Sequence, residues 1–410
     1  MHPLASSPSH QLYQPTQFDD WRSITVAIYM ALVGYGVMVG IPVISTAWVS
    51  LLGFSEVQIG RVAGADLGGF SAGAVLVSRY VARVNRRYLV LAAAAVAVTA
   101  NGLCMVFQTY EQTLVLRIIA GIGSGAYTAV AVATLAGTAK PARAFNILLF
   151  SFAFSQGGAL YLLPKLSMNE IYLLFIVTYI LGLLAIRWLP AHPIEKRLAA
   201  TDDNIEVQHE IDSGHGHIPV PKAVPWLVLA AVLFTYLNIG AYWTYIELAS
   251  AASDADPEWV GKLLVYTSVF SVVGCACATL ISNRFGLARP LMVTLLAQAI
   301  IVGMLAGGIN NINVMISMFA FNFCWIFVDV YQSATIANLD STGRFAALMP
   351  GAQGLGQILG PNLAATILAM GMGYSYLFIL CAISSLIALA IWLFMYLRLR
   401  KQFPALADAS

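Results

Sequence analysis

Long apolar segments recur along the whole chain, each close in length to a membrane-spanning helix. A helix rises about 1.5 Å per residue, so about 20 apolar residues cross the hydrocarbon core of a bilayer. We predict twelve spans, at residues 23–47, 57–81, 88–108, 112–137, 143–166, 170–190, 224–250, 259–282, 289–309, 312–338, 345–370 and 374–397. Only 10% of the residues are charged, against roughly 25% in soluble domains. The sequence therefore predicts an all-α membrane protein.

The basic residues lie mostly on one side of this arrangement. Of the 21 lysines and arginines, 17 fall in alternate gaps or in the tails: Arg22, Arg79, Arg83, Arg86, Arg87, Lys140, Arg143, Arg187, Lys196, Arg197, Lys222, Arg284, Arg289, Arg344, Arg398, Arg400 and Lys401. The remaining four are Arg61, Arg117, Lys165 and Lys262. Because short basic loops resist translocation, both termini are expected in the cytoplasm. These charges are typical of topology signals, not of a nucleic-acid surface.

One long polar gap divides the spans into two sets of six. We predict a cytoplasmic N-terminal tail at 1–22, a six-helix half at 23–190, a cytoplasmic linker at 191–222, a second half at 223–397 and a cytoplasmic tail at 398–410. Arg83, Arg86 and Arg87 follow the second span, and Arg284 follows the eighth, at the equivalent position. The repeat indicates two pseudo-symmetric halves.

These features resemble the major facilitator superfamily. The segment Leu116-Arg117-Ile118-Ile119-Ala120-Gly121-Ile122-Gly123-Ser124-Gly125 is similar to the family's span-4 motif. The basic loop is similar to the motif between spans 2 and 3, but it has Ser78, Ala82 and Asn85 where the family has Gly, Asp and Gly. The second copy has Asn283 in place of Asp. The resemblance implies a transporter that alternates access to a central site; it does not imply the loop's charge relay, which needs those acids.

Four ionisable side chains of the predicted spans are candidates for the hydrocarbon zone, where a charge is costly unless it is paired, protonated or hydrated. They are Asp66, Arg117, Glu247 and Asp329. Asp66 and Arg117 lie at similar depths on spans 2 and 4, so we expect them to interact. A carboxyl group that alternates between a dry pocket and a cationic partner takes up and releases a proton. The alternatives are a fixed structural ion pair for Asp66 and Arg117, and an interfacial position for Glu247 beside Asp254, Asp256 and Glu258.

A polar and aromatic stripe marks the candidate substrate path. Asn322, Trp325, Asp329 and Gln332 are spaced by three, four and three residues, which places them on one helix face. The stripe lines a solute path or forms a hydrogen-bonded helix seam. The other candidate substrate-binding residues are Asn238, Tyr242, Trp243, Gln156, Gln353 and Gln357.

Several signals for other functions fail. Gly69-Phe70-Ser71-Ala72-Gly73 matches the serine hydrolase pattern but lies inside a predicted span instead of at a strand–helix turn. The chain has no GxxxxGK phosphate loop, and its histidines fall in the tail or linker. We therefore expect no enzyme activity, no bound cofactor or metal, and no nucleic-acid partner.

The sequence favours a secondary transporter driven by the proton gradient, and its partners are then protons, a small solute and the lipid bilayer. Efflux of a neutral or cationic organic compound by proton antiport is the first expectation. Proton-symport uptake of a small organic nutrient is the alternative, and a non-transporting receptor or scaffold is a third class. Short outer loops without Asn-x-Ser/Thr sites favour the bacterial inner membrane, and a monomer is expected.

Overall fold

A computed structural model describes residues 17–81, 83–138, 141–191, 223–253, 255–281, 284–339 and 344–399. Most of both predicted tails and nearly all of the linker lie outside the described residues. So do Ala82 and Asn283 of the loop motifs, and Asp254 of the predicted acidic loop.

Thirteen α-helices make up almost all of the described part of the chain, which contains no strand. They are α1 Trp21–Gly34, α2 Gly36–Leu52, α3 Glu56–Ser78, α4 Arg86–Val106, α5 Tyr110–Ala136, α6 Pro141–Leu162, α7 Met168–Leu184, α8 Val224–Ala251, α9 Pro257–Ile281, α10 Ala288–Gly303, α11 Asn311–Leu339, α12 Arg344–Ala369 and α13 Gly373–Leu399. Short 3-10 turns follow α6, α7 and α10.

The first predicted span is two helices, which corrects the expected continuous segment 23–47. α1 ends at Gly34 and α2 begins at Gly36, so Tyr35 interrupts the helix between two glycines. Glycine is among the poorest helix formers, and sharp kinks concentrate at such residues. Together, Trp21–Leu52 form an apolar stretch of 32 residues, longer than predicted.

Nine of the described helical segments are long and apolar enough to cross a membrane. The helices α3, α7 and α12 are outside this set. α7 has only 17 residues, and α3 carries three charged residues, Glu56, Arg61 and Asp66, and five glycines. Both α3 and α12 pack inside the bundle, where polar and small side chains contact protein.

Local signals in the sequence begin several helices. Ser55 and Gln58 form a reciprocal capping box at the start of α3, and Ser167 and Glu170 form another at the start of α7. Each box satisfies backbone N–H groups that have no partner within the helix.

Glycines allow the closest helix contacts. A Cβ atom at Gly121 or Gly125 of α5 would overlap the backbone of Asp66 or Phe70 on α3. Gly69 and Gly73 of α3 meet the backbone of Ile118 and Ile122 of α5 in the same way. The apparent hydrolase pattern is therefore part of a helix-packing seam, as expected for small residues in membrane helices.

Helices from the two sides of the linker contact one another most extensively along three pairs: α2 with α8, α3 with α12, and α6 with α9. These pairs surround the centre of the bundle. The candidate site lies between them.

Candidate functional site

A small cavity of about 10 Å³ lies between the helices that precede the linker and those that follow it, and a volume of this size holds about one water molecule. Its lining is mostly apolar and contains no charged side chain: Met38, Ile41, Leu67, Ile239, Gly240, Trp243, Thr244, Trp325 and Gln357. Three residues on α2 and α3 face six on α8, α11 and α12. A solute held here would contact both halves of the chain at once.

Two tryptophans form the aromatic wall of the cavity. The rings of Trp243 and Trp325 are 5.9 Å apart and meet edge to face. The Gln357 side chain adds an amide and lies 3.4 Å from the sulfur of Met38. Of the predicted substrate-binding residues, Trp243, Trp325 and Gln357 line the cavity.

A cluster of hydrogen-bonded side chains around the Asp329 carboxylate lies next to this wall. Tyr236 donates a hydrogen bond of 2.8 Å to Oδ1 of Asp329. The Gln353 amide donates to the same oxygen at 2.9 Å and to the Tyr236 hydroxyl at 3.0 Å. Trp325 precedes Asp329 by one turn of α11, and Gln357 follows Gln353 by one turn of α12, so the carboxylate cluster adjoins the cavity wall.

The predicted stripe on α11 does not face a single neighbour. Trp325 lines the cavity and packs on Trp243 of α8. Asp329 contacts α8 and α12, whereas Asn322 faces α6 and α9. Its Oδ1 lies 3.5 Å from Gln156 Nε2 and 3.5 Å from the Ser271 hydroxyl. The Gln332 amide donates to the Thr235 hydroxyl at 2.9 Å.

Two further predicted residues on α8 also make helix contacts. Asn238 donates to the Ser385 hydroxyl at 2.8 Å. The Tyr242 and Ser317 hydroxyls lie 2.9 Å apart, and the Tyr242 ring stacks on Phe321. Like Gln332, these side chains lie in seams between helices and do not line the cavity.

Asp66 and Arg117 form the predicted contact. Arg117 donates from Nε to Asp66 Oδ2 at 2.9 Å, and its Nη2 contacts the same oxygen. Nη1 donates to Oδ1 of Asn101 at 2.9 Å. The ring of Tyr172 lies 5.9 Å from the guanidinium carbon. The pair is thus held inside the helices that precede the linker.

Glu247 lies near one end of α8, half-buried and beside the Thr46 hydroxyl of α2. Its Oε2 is buried and has no hydrogen-bond partner among the residues described. Glu247 thus lies between α2 and α8. A carboxyl group in this position does not stabilise the fold, because a buried oxygen without a hydrogen-bond partner costs free energy.

At the end of the bundle that carries the 53–55 turn, the two sides of the chain are linked by polar contacts. Arg61 of α3 donates to the Asn362 side chain at 2.9 Å, to its carbonyl at 3.1 Å, and to the Thr366 hydroxyl at 2.9 Å. Tyr245 of α8 donates to the carbonyl of Glu56 at 2.8 Å. We call these contacts the Arg61 clasp.

The basic loop lies at the other end. The Arg86 guanidinium covers the Phe18 ring at 4.8 Å, and Arg87 donates to the carbonyls of Leu189 and Arg187, both at 2.8 Å. These contacts join the loop to the segment after α7. Arg83 and Arg284 are exposed.

Sequence reasoning missed Tyr236, Ser271 and the role of Arg61. Tyr236 precedes Trp243 by seven residues, which places both on one face of α8, and this spacing was the available signal. Nothing in the sequence linked Ser271 to Asn322 or Arg61 to Asn362, because those partners lie on helices far apart in the chain.

Comparisons with known proteins agree with this architecture. The family model described as Major Facilitator Superfamily matches residues 26–344. A mutant of the nucleoside transporter NupG aligns over 91% of this chain and 99% of its own, with a TM-score of 0.69 and 14% identity. A D-xylose-proton symporter aligns over 91% and 97%, with a TM-score of 0.68 and 16% identity.

The tetrameric PepTSo2 aligns over 93% of this chain and 99% of its own, with a TM-score of 0.69 and 13% identity. Curated protein sequences give no match. The structural likenesses show a shared fold, and the family model covers more than half of the chain. The chain is therefore a multi-pass membrane protein that belongs to the Major Facilitator Superfamily.

Proposed function

We propose that the chain is a secondary transporter that couples the proton gradient to movement of a small neutral or cationic organic solute. The observation that carries the proposal is the central cavity, whose wall adjoins the buried carboxylate of Asp329 and its hydrogen-bond donors Tyr236 and Gln353. The cavity is nearly closed in this conformation, so solute binding requires the surrounding helices to move apart. Its lack of charged lining argues against a multiply charged anion. The tryptophan faces also suit a cation.

The proposed topology has twelve spans in two six-helix halves with both termini in the cytoplasm. The count takes the nine apolar segments together with α3, α7 and α12, and it treats α1 and α2 as one span. The distribution of lysine and arginine supports the orientation. In this orientation the Arg61 clasp faces the outside and the basic loop faces the cytoplasm.

Asp329 is the proposed proton site. Its hydrogen-bond donors, Tyr236 and Gln353, are neutral, so they stabilise the charge without fixing it as a cationic partner would. Burial disfavours the charged form and water favours it. A cycle that alternately dries and wets this carboxylate would bind and release a proton.

Glu247 and the pair of Asp66 and Arg117 are proposed as auxiliary groups in coupling. Asp66 has a cationic partner and Glu247 has a buried free oxygen, so the two carboxylates differ in the cost of losing a proton. A change in the contact between α2 and α8 would alter the surroundings of Glu247 directly.

Uptake by proton symport is the proposed direction, in place of the efflux that the sequence analysis favoured. A shared fold with a protein named a D-xylose-proton symporter supports this choice. The sequence also supports it, because the Gly/Pro-rich span-5 helix typical of the family's antiporters is reduced here to Gln156, Gly157, Gly158 and Pro164. The bacterial inner membrane is the proposed location.

A single chain is the proposed working unit, because the cavity and the carboxylate cluster are built within one chain. The protein should therefore transport at protein-to-lipid ratios that leave one copy in each vesicle.

Flux into proteoliposomes under an imposed pH gradient tests the proposal. A panel of radiolabelled neutral and cationic solutes, sugars and nucleosides included, should contain one that accumulates when the outside is acidic. Asp329→Asn mimics the protonated form, so it should retain solute exchange and lose accumulation driven by the gradient. Glu258→Gln, which neutralises an exposed carboxylate remote from the cluster, is the matched control.

If Asp329→Asn accumulates solute to the wild-type level, Asp329 is not needed for proton coupling. Gradient-driven export of a panel solute, without any import, would return the function to antiport.

A further inference from the structure

A second, larger opening lies between α6 and α9, outside the central cavity. It measures about 180 Å³, less than the roughly 300–1,000 Å³ of sites for drug-sized ligands, so it suits a narrow chain and not a bulky ligand. Its lining comprises Leu149, Phe150, Phe152, Ala153, Ser271, Val272, Cys275, Ala276, Thr279 and Ile326. We call this opening the lateral groove.

The groove opens onto the apolar outer surface of the bundle. Leu149 is 39% exposed and Phe150 is 57% exposed, and Ala276 and Thr279 are exposed as well. α6 and α9 approach each other where a Cβ at Gly157 would contact Ser268, and the groove lies between that contact and the basic loops. Its mouth is therefore at the depth of the hydrocarbon chains.

The inner end of the groove is polar and uncharged. Ser271 lies there, and its hydroxyl is 3.5 Å from both Gln156 Oε1 and Asn322 Oδ1. Gln156 Nε2 and Asn322 Oδ1 are also 3.5 Å apart. Hydrogen bonds of these types are usually close to 2.8–3.0 Å, so the three buried side chains hold one another only weakly.

We propose that the lateral groove binds a single-chain neutral amphiphile from the bilayer, with its chain between α6 and α9 and its polar head at Ser271, Gln156 and Asn322. The apolar walls exclude a hydrophilic solute, and the uncharged inner end gives no reason to bind an ionic head. A hydroxyl head would both donate and accept at the trio, and so replace its long contacts with shorter ones. The site is separate from the proposed transport cavity, and its occupancy does not depend on proton coupling.

Photolabelling of the purified full chain in phosphatidylcholine nanodiscs tests the proposal. The probe is a 16-carbon fatty alcohol with a diazirine in its chain, and mass spectrometry locates the adducts. We expect saturable labelling of residues 149–153 and 271–279, suppressed by excess unlabelled hexadecanol. Contact with ordinary annular lipid would give labelling that does not saturate.

Variants separate the groove from the general lipid surface. Ala276→Trp places a large ring in the groove and should reduce saturable labelling at least tenfold, as should Thr279→Trp. Leu280→Trp is the matched control, because Leu280 is 72% exposed on the same helix and does not line the groove. Ser271→Ala should raise the alcohol concentration that gives half-maximal labelling by about threefold, the effect of losing about one neutral hydrogen bond. The half-maximal concentration of the corresponding alkane probe should not change.

Labelling that rises linearly with the probe concentration, without saturating, overturns the proposal. So does equal saturable labelling in Ala276→Trp, Thr279→Trp and Leu280→Trp.

Discussion

Arg117 donates two hydrogen bonds to a single carboxylate oxygen of Asp66, from Nε at 2.9 Å and from Nη2. The side chains are 1% and 4% exposed, so water does little to screen the pair. Removing one partner from a buried pair strands the other charge, whereas replacing both with apolar groups of similar volume is often nearly neutral.

Single and double substitutions of this pair should therefore differ. Asp66→Leu or Arg117→Met alone should lower the free energy of unfolding by about 3–5 kcal/mol, and the double variant should recover most of that loss. Thermal unfolding of the purified protein in detergent measures the effect. Lys262→Ala, which breaks the exposed contact with Glu258, should leave the midpoint unchanged.

Transport assays of the same variants separate structure from coupling. A stable double variant that accumulates solute normally would make the pair purely structural. A stable double variant that exchanges but does not accumulate would place the pair in coupling. Additive losses of stability in the double variant would contradict the interaction itself.

The Arg61 clasp should control opening at its end of the bundle. Arg61→Ala removes three hydrogen bonds to Asn362 and Thr366. At about 0.5–1.5 kcal/mol each, the loss should shift the closed-to-open ratio by about tenfold or more. Ala365→Cys is a buried reporter, and its labelling by a water-soluble maleimide, in a chain with the native cysteines replaced, should accelerate accordingly.

Arg61→Lys should give an intermediate rate, because an ammonium group cannot reproduce the guanidinium fork. Lys262→Ala, a change of basic residue on the same side of the bundle, should not alter labelling. A reporter rate that is independent of residue 61 would assign the clasp no part in closure.

The sequence predicted the contact of Asp66 and Arg117 because both depths follow from the helical rise along spans of known direction. It did not predict the partners of Asp329, because Tyr236 and Gln353 reach it from α8 and α12. Periodicity identifies a helix face but not the neighbour that the face will meet. The spacing placed Asn322 and Asp329 on one stripe, but it could not show that the two residues contact different helices.

The break at Tyr35 is a second case. Apolar length alone predicts a span, and hydropathy does not distinguish a straight helix from one interrupted between Gly34 and Gly36. The starts of α3 and α7 are by contrast encoded locally, because the Ser55 and Ser167 boxes each lie within four residues of sequence.

The orientation predicts opposite accessibility for two positions. A cysteine at Asp256, between α8 and α9, should react with an impermeant maleimide added outside intact cells. A cysteine at Asp203, in the polar linker beyond the described residues, should react only after the membrane is permeabilised. Equal reaction of both from one side would overturn the proposed topology.

The glycine seam between α3 and α5 should be needed to bring Asp66 to Arg117. A side chain at Gly125 would overlap the carbonyl of Phe70, and one at Gly121 would overlap that of Asp66. Because these neighbours are backbone atoms, relief requires the helices to separate. Gly121→Val should therefore lower the thermal unfolding midpoint, with a loss of about 1–3 kcal/mol, the usual cost of overpacking. It should also abolish most of the additional loss caused by Asp66→Leu, since the ion pair would already be stretched. Gly261→Ala is the matched control, because a Cβ at this position in α9 meets no atom within 4 Å and alanine favours the helix.

Thermal unfolding of the four variants, Gly121→Val, Asp66→Leu, their combination and Gly261→Ala, measures both effects. Strictly additive losses for the combination would mean that the seam and the ion pair are independent.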